Sequence, residues 1–245
     1  MTYLRDIGRQ TPDGTLAPIE NWLLGPVEFA VYKQLRKLKI DTGIKLSKIN
    51  ILGTSNPEPY QGDCFDGCTE VQLDINWSEI ACLPRESRVE RALSALAEGI
   101  CIVLNHFGTS KSGFNLMIQE LKKNLLETNI KLASFQSGNE KFLLVLFWKS
   151  TIDFAQLRVS KAAAKDDKFL VIATMWPDFD GIKPSDIQIV NGQLQVKCYA
   201  GFFFKTLLGR KYLEPITGIG QVSLTNENKS AIASFDIDLI AKELV

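Results

Sequence analysis

The unbroken apolar run Phe142-Leu143-Leu144-Val145-Leu146-Phe147-Trp148 constrains this chain more than any other stretch. It is strand-sized, and it offers no polar side to water. Such a run predicts a central strand covered on both faces. Phe169 to Trp176 predicts a second one. Around them the pattern is strand and turn. Ile187–Val190 leads into Asn191-Gly192, a strong two-residue hairpin signal, and Leu194, Val196, Cys198 and Ala200 alternate beyond it. A last hairpin is predicted to join Val222–Leu224 to Ile232–Ile237 through a polar turn at Asn226–Ser230.

The first half carries the helical periods. Residues 1–25 read as irregular, and Pro26 suits the first position of a helix carrying Val27, Val31, Leu35 and Leu38. Residues 44–53 read as a strand with an irregularity near Ser47. Val71, Leu73, Ile75 and Trp77 alternate with polar neighbours as a half-buried strand. From Glu86 to Phe107, Val89, Leu93, Leu96, Ile100, Val103 and Phe107 form one helical stripe. A second helix follows, with Phe114, Met117, Leu121 and Leu125 inward. The short link between them predicts an antiparallel pair. Ser150-Thr151-Ile152-Asp153 resembles a capping box opening a further helix to about Lys165.

Strands and helices come in clusters and do not alternate throughout. The expected class is therefore α+β, with largely antiparallel or mixed sheets and the helix pair (about 86–107 and 113–128) packed on one face. Residues 1–245 are expected to form one compact domain. If the chain divides, Lys161–Lys168 is the expected seam.

Composition excludes several classes. With 45% apolar and 23% charged residues, the chain matches an ordinary globular protein. Lysine plus arginine and aspartate plus glutamate each number 28, so no global field draws it to nucleic acid or an anionic membrane. The N-terminus lacks the apolar stretch of a secretion signal, and no run is long enough to span a bilayer. Five irregularly spaced cysteines argue for reduced thiols, and a cytosolic location is expected.

His106 is the only histidine, which narrows acid/base and metal chemistry sharply. On its helix it lies in a row with Ala92, Ala95, Gly99 and Ile102, small residues that let another element come close. A structural place at an internal packing seam is expected for it. Cys64 and Cys68 could supply half of a zinc site, but the other half is missing, so no metal and no cofactor are expected. Gly108-Thr109-Ser110-Lys111-Ser112-Gly113 lacks the order of a phosphate-binding loop, and no helix pattern opens after Gly218-Ile219-Gly220. Lys33, Arg36, Lys37, Lys39, Lys45 and Lys48 read as a solvated helix end. The run Gly201 to Gly209, rich in phenylalanine, reads as core.

Asp178-Phe179-Asp180-Gly181 follows a buried strand and resembles the Asp-x-Asp element of nucleotide-sugar glycosyltransferases. The resemblance covers these few residues alone. It implies a divalent-metal-dependent transferase or hydrolase acting on a nucleotide or phosphorylated substrate, with Asp178 and Asp180 as cation ligands. The reading preferred over it is a non-catalytic, protein-binding protein: an inhibitor or immunity-type partner of a bacterial toxin, or an accessory subunit. Its candidate contact residues are Asp63, Asp66 and Glu70 in one acidic loop, and Asp178 and Asp180 in the other. Either could meet a basic-surfaced toxin or enzyme.

Overall fold

Buried and half-buried side chains alternate along Lys48–Thr54, so Ile49, Ile51 and Gly53 turn inward together. That alternation anchors the N-terminal half of a computed structural model. It describes residues 3–12, 18–152, 154–163, 168–175, 182, 184–199, 213–224 and 230–244. The chain clusters into two units, Met1–Glu127 and Thr128–Val245. Lys161 ends a strand within the second unit.

In the first unit, β1 (Tyr3–Leu4) precedes β2 (Asp6–Gln10), and α1 (Pro18–Leu38) leads to β3 (Ile40–Asp41) and β4 (Lys48–Thr54). β5 (Cys68–Asp74) completes a parallel sheet in the order β2-β4-β5, with Asp6 opposite Lys48 and Lys48 opposite Cys68. β1 and β3 pair antiparallel beside it. Neighbouring parallel strands need a long crossover. Between β2 and β4 this is α1. Between β4 and β5 it is a return loop, residues 55–67, without a helix.

The sequence reading starts the first helix at Pro26 and leaves residues 1–25 irregular; both points are corrected. The helix begins at Pro18, with Pro26 inside it, and two strands precede it. Proline removes one helical donor and costs about 3 kcal/mol in a helix interior. Leu24, Val27, Val31 and Leu35 are each fully buried across that point. At about 1.5–3 kcal/mol per buried side chain, their packing outweighs the lost bond.

Ile75 and Trp77 prolong the alternation of β5, yet the strand ends at Asp74. Asn76 stops it: its side chain accepts the Ser78 and Glu79 amides and caps α2 (Trp77–Cys82). α3 (Arg85–His106) and α4 (Ser112–Lys123) follow, as the stripes predict. Both pack on α1, and α3 also lies against β4 and β5. The Cys101 thiol reaches Asn115 Oδ1 at 3.9 Å, linking α3 to α4. At Gly99 the sheet comes close: a Cβ there would lie 2.6 Å from Ile51 Cδ1 and 3.2 Å from Val71 Cγ1. The row of small residues has that use.

The second unit is antiparallel. β6 (Thr128–Ser137), β7 (Glu140–Trp148), β8 (Ala155–Lys161), β9 (Leu170–Met175) and β12 (Leu213–Pro215) form a sheet ordered β12-β9-β8-β7-β6. The apolar run Phe142–Trp148 is therefore an inner strand, between β8 and β6. Phe142, Leu144 and Leu146 are fully buried, whereas Leu143 and Val145 are half-buried. Phe142 stacks on Phe135 of β6 with ring centroids 5.4 Å apart. The helix expected after Ser150 is absent over Ala155–Lys161, where β8 runs instead. Ala155, Leu157 and Val159 are buried between half-buried neighbours, a period of two.

β10 (Ile187–Val190), β11 (Gln193–Tyr199), β13 (Gly220–Leu224) and β14 (Ser230–Asp236) make the other sheet, ordered β10-β11-β14-β13. Asn191 and Gly192 join the first two with φ of 49° and 74°, the conformation that hairpin signal implies. α5 (Ile237–Glu243) closes the described chain, capped by Asp236. The whole is α+β with mostly antiparallel pairing, and the parallel sheet is confined to the first unit. Among the described residues, no helix is long and apolar enough to cross a membrane.

Candidate docking groove

The return loop between β4 and β5 holds the acidic candidates of the first unit. Its last residues turn back on themselves. The Phe65 amide donates to Cys68 O at 2.8 Å, and the Cys68 amide donates to Phe65 O at 2.9 Å. Asp66 and Gly67 fill the corner with φ of 47° and 76°. Asp-Gly is the chemistry such a tight turn requires, because both central residues must take left-handed backbone. Ser47, at the irregular start of β4, holds the corner down: its amide and hydroxyl both donate to Gly67 O.

The result is a small hydrogen-bonded hairpin with Phe65 on it, 88% exposed. Asp63, Asp66 and Glu70 are all exposed around it. Asp63 and Glu70 line one groove of about 590 Å³, together with Glu58, Tyr60 and Phe65. Asp66 sits at the turn. No lysine or arginine lines the groove; Lys48, on β4, faces Asp6 at 3.9 Å.

Tyr60 fixes the groove's wall. Its hydroxyl lies 2.8 Å from Thr69 Oγ1, and Thr69 Oγ1 donates to Asp63 O at 2.5 Å. Burial pushes the Tyr60 phenol up, and the thiol and carboxylate of Cys64 and Asp63 add to this against the Thr69 bond. The phenol therefore stays neutral and keeps its proton for that bond. Farther up the loop, the Glu58 amide donates to Gln72 Oε1 at 3.0 Å.

His106 departs from the place expected for it. Ala92, Ala95 and Gly99 of its row are buried, but His106 itself is exposed at the end of α3. The row meets the sheet for most of its length, and the return loop meets its last member. The His106 ring stands edge-on to Tyr60 and to Phe107, each at 5.0 Å between centroids.

Cys64 and Cys68 do not converge on these groups. Phe65, not Cys64, pairs with Cys68, so alternation turns Cys64 and Cys68 to opposite faces of the hairpin. Cys64 reaches Lys45 O instead, at 3.8 Å. Among the described residues, no group of three His, Cys, Asp or Glu side chains could hold a metal ion. Burial also pushes the Cys101 thiol up, the reverse of what activates a cysteine nucleophile.

A second concavity, about 840 Å³, opens at the carboxyl ends of the parallel strands, lined by Thr54, Asp74, Ser78, Glu79 and Arg91 among others. Its charges are mixed. Asn76 already occupies the first amides of α2, so those donors are not open to an anion. Gly108 (φ 63°) follows the end of α3 in the short link to α4, and Gly220 begins a strand. Asp178, Asp180 and the Gly201–Gly209 run lie outside the described residues.

Phe65, Tyr60 and Glu58 are the groove residues that composition alone passes over. The Asp66-Gly67 signature next to an apolar residue is the signal that marks Phe65. Comparison with protein-family models, with curated proteins and with solved structures gives no match, so the chemistry of the groove itself carries the functional reading.

Proposed function

We propose that this chain is a non-catalytic protein-binding module that docks a basic segment of another protein in the Tyr60–Phe65 groove. The observation that carries the reading is Phe65, 88% exposed on a hairpin closed by two backbone hydrogen bonds. A large aromatic ring standing in water beside an acidic groove offers an anchor that a partner can bury, as aromatic side chains do at interface centres. Because the support is already ordered, little conformational entropy is lost on association.

Charge selects the partner. Glu58, Asp63 and Glu70 line the groove with two aromatic rings and no cation. A lysine or arginine entering it meets carboxylates and ring faces together, both of which attract a cation. Asp66 extends the negative rim and steers a basic surface toward the site. A cytosolic inhibitor or accessory subunit of a basic toxin or enzyme is the role that fits best.

Co-purification from the native cell with the wild-type chain and with Phe65→Ala tests this. A stoichiometric partner with a basic surface, retained by the wild type and lost from the variant, supports the reading. No such partner, or one held equally by both chains, overturns it.

A further inference from the structure

We propose that His106 is the positioning residue of the docking groove, a strut that holds Tyr60 and the Gly62 backbone in place and so fixes the wall carrying Asp63 and Phe65. The inference rests on the docking reading for its function, but its geometry stands apart from any partner.

The return loop needs such support. Between Ser55 and Gly67 it has no helix and no strand ladder, and only Phe65 makes a bridge. Ordering backbone costs conformational entropy at every residue, so a loop with few bonds stays ordered only if packed from outside. The hairpin end is tied by the Phe65–Cys68 pair and by Ser47 and Lys48 on Gly67 O. Before it, the described ties to the rest of the unit are the Glu58 amide on Gln72, the Cys64 thiol on Lys45 O, and the Tyr60–Thr69–Asp63 chain. The middle leans on the end of α3.

There the contacts are close. A Cβ on Gly62 would fall 2.1 Å from His106 Nε2, 2.8 Å from Cδ2 and 2.9 Å from Cε1, so the loop backbone lies against the ring itself. Tyr60 meets the same ring edge-on at 5.0 Å and also faces Phe107 at 6.4 Å. From the helix, contact passes through His106 to Tyr60, through its hydroxyl to Thr69, and from Thr69 to the carbonyl of Asp63. Phe65 is two residues farther. Because α3 is held by its buried stripe against β4 and β5, the strut has a firm base.

The consequence is preorganisation. With the ring removed, the loop from Glu58 to Cys64 loses its middle support and samples other conformations before binding. A partner must then order it, and affinity falls. The remaining fold keeps its core, since His106 is exposed at the end of α3 and lies outside the buried stripe that packs the helix on the sheet.

The test uses the full chain as wild type, His106→Ala and His106→Gln, with two readouts. One is amide hydrogen exchange across residues 55–67. The other is calorimetric binding of an oligoarginine peptide. The expected result is faster exchange at residues 58–64 in His106→Ala, exchange in β7 unchanged, and binding about tenfold weaker, a difference of ~1.4 kcal/mol. His106→Gln keeps a side chain of similar reach against Gly62 and should recover much of both. Loop exchange and affinity both unchanged in His106→Ala would overturn the strut. If the wild type fails to bind the peptide, the docking reading falls, and the exchange data alone still decide the role of His106.

Discussion

Gly62 lies against His106 so closely that a Cβ at position 62 would stand 2.1 Å from Nε2, on backbone whose φ of +86° L side chains rarely adopt. The loop that carries the acidic candidates is thus fitted to the end of α3, and a side chain at position 62 would be strained and would have to move the ring.

Gly62→Ala should therefore destabilise through two separable causes. Left-handed backbone costs an L residue about 1–2 kcal/mol, and the methyl must also displace the ring. In a His106→Ala background only the backbone cost remains. Urea denaturation of the four variants of this cycle should give a coupling of about 0.5 kcal/mol or more between the two sites. Additive effects would mean that the glycine and the ring do not meet.

Gly99 makes the corresponding statement about the core. Alanine there gains about 1 kcal/mol of helix propensity but places a methyl 2.6 Å from Ile51 Cδ1. Overpacking a filled interior costs about 1–3 kcal/mol, so Gly99→Ala should be destabilising on balance. Ile51→Val removes Cδ1 and should recover part of the loss. A melting temperature raised by Gly99→Ala would show that α3 does not press on β4.

Trp77 ties α2 to the parallel sheet. The side chain is fully buried, and its Nε1 donates to Ile51 O at 3.2 Å. Trp77→Phe removes that donor and part of the packed volume. Losing a buried hydrogen bond costs about 0.5–1.5 kcal/mol, and the lost volume adds to it. The midpoint of chemical denaturation should fall accordingly. An unchanged midpoint would contradict the placement.

The parts of this structure legible in the sequence are those settled within a few residues. The stripe from Val89 to Val103 states a helix, and Asn191-Gly192 states a hairpin, because the determining contacts are local. Parallel pairing of β2, β4 and β5 is different. It depends on which strands meet across α1 and the return loop, and alternation reads the same in either direction. Pro26 misleads because burial of Leu24, Val27 and Val31 outweighs a local penalty. Ser150 to Asp153 misleads for the opposite reason: its capping pattern is genuine chemistry with no apolar stripe after it, only the period of two in Ala155, Leu157 and Val159. The candidate site was half legible. Charge marks Asp63, Asp66 and Glu70, whereas Tyr60 and His106 belong to it only through contacts between segments far apart in the chain.

Phe65 carries the central claim most directly. Its exposure means that Phe65→Ala should leave stability within about 0.5 kcal/mol, as surface substitutions usually do. Loss of a buried anchor at an interface costs about 2 kcal/mol or more, so affinity should fall by a factor of about 30. The deciding measurement is the dissociation constant of the co-purified partner for the wild type and for Phe65→Ala, with melting temperatures taken alongside. Weakened binding at unchanged stability is the expected result. Equal affinity for both chains would contradict the docking groove.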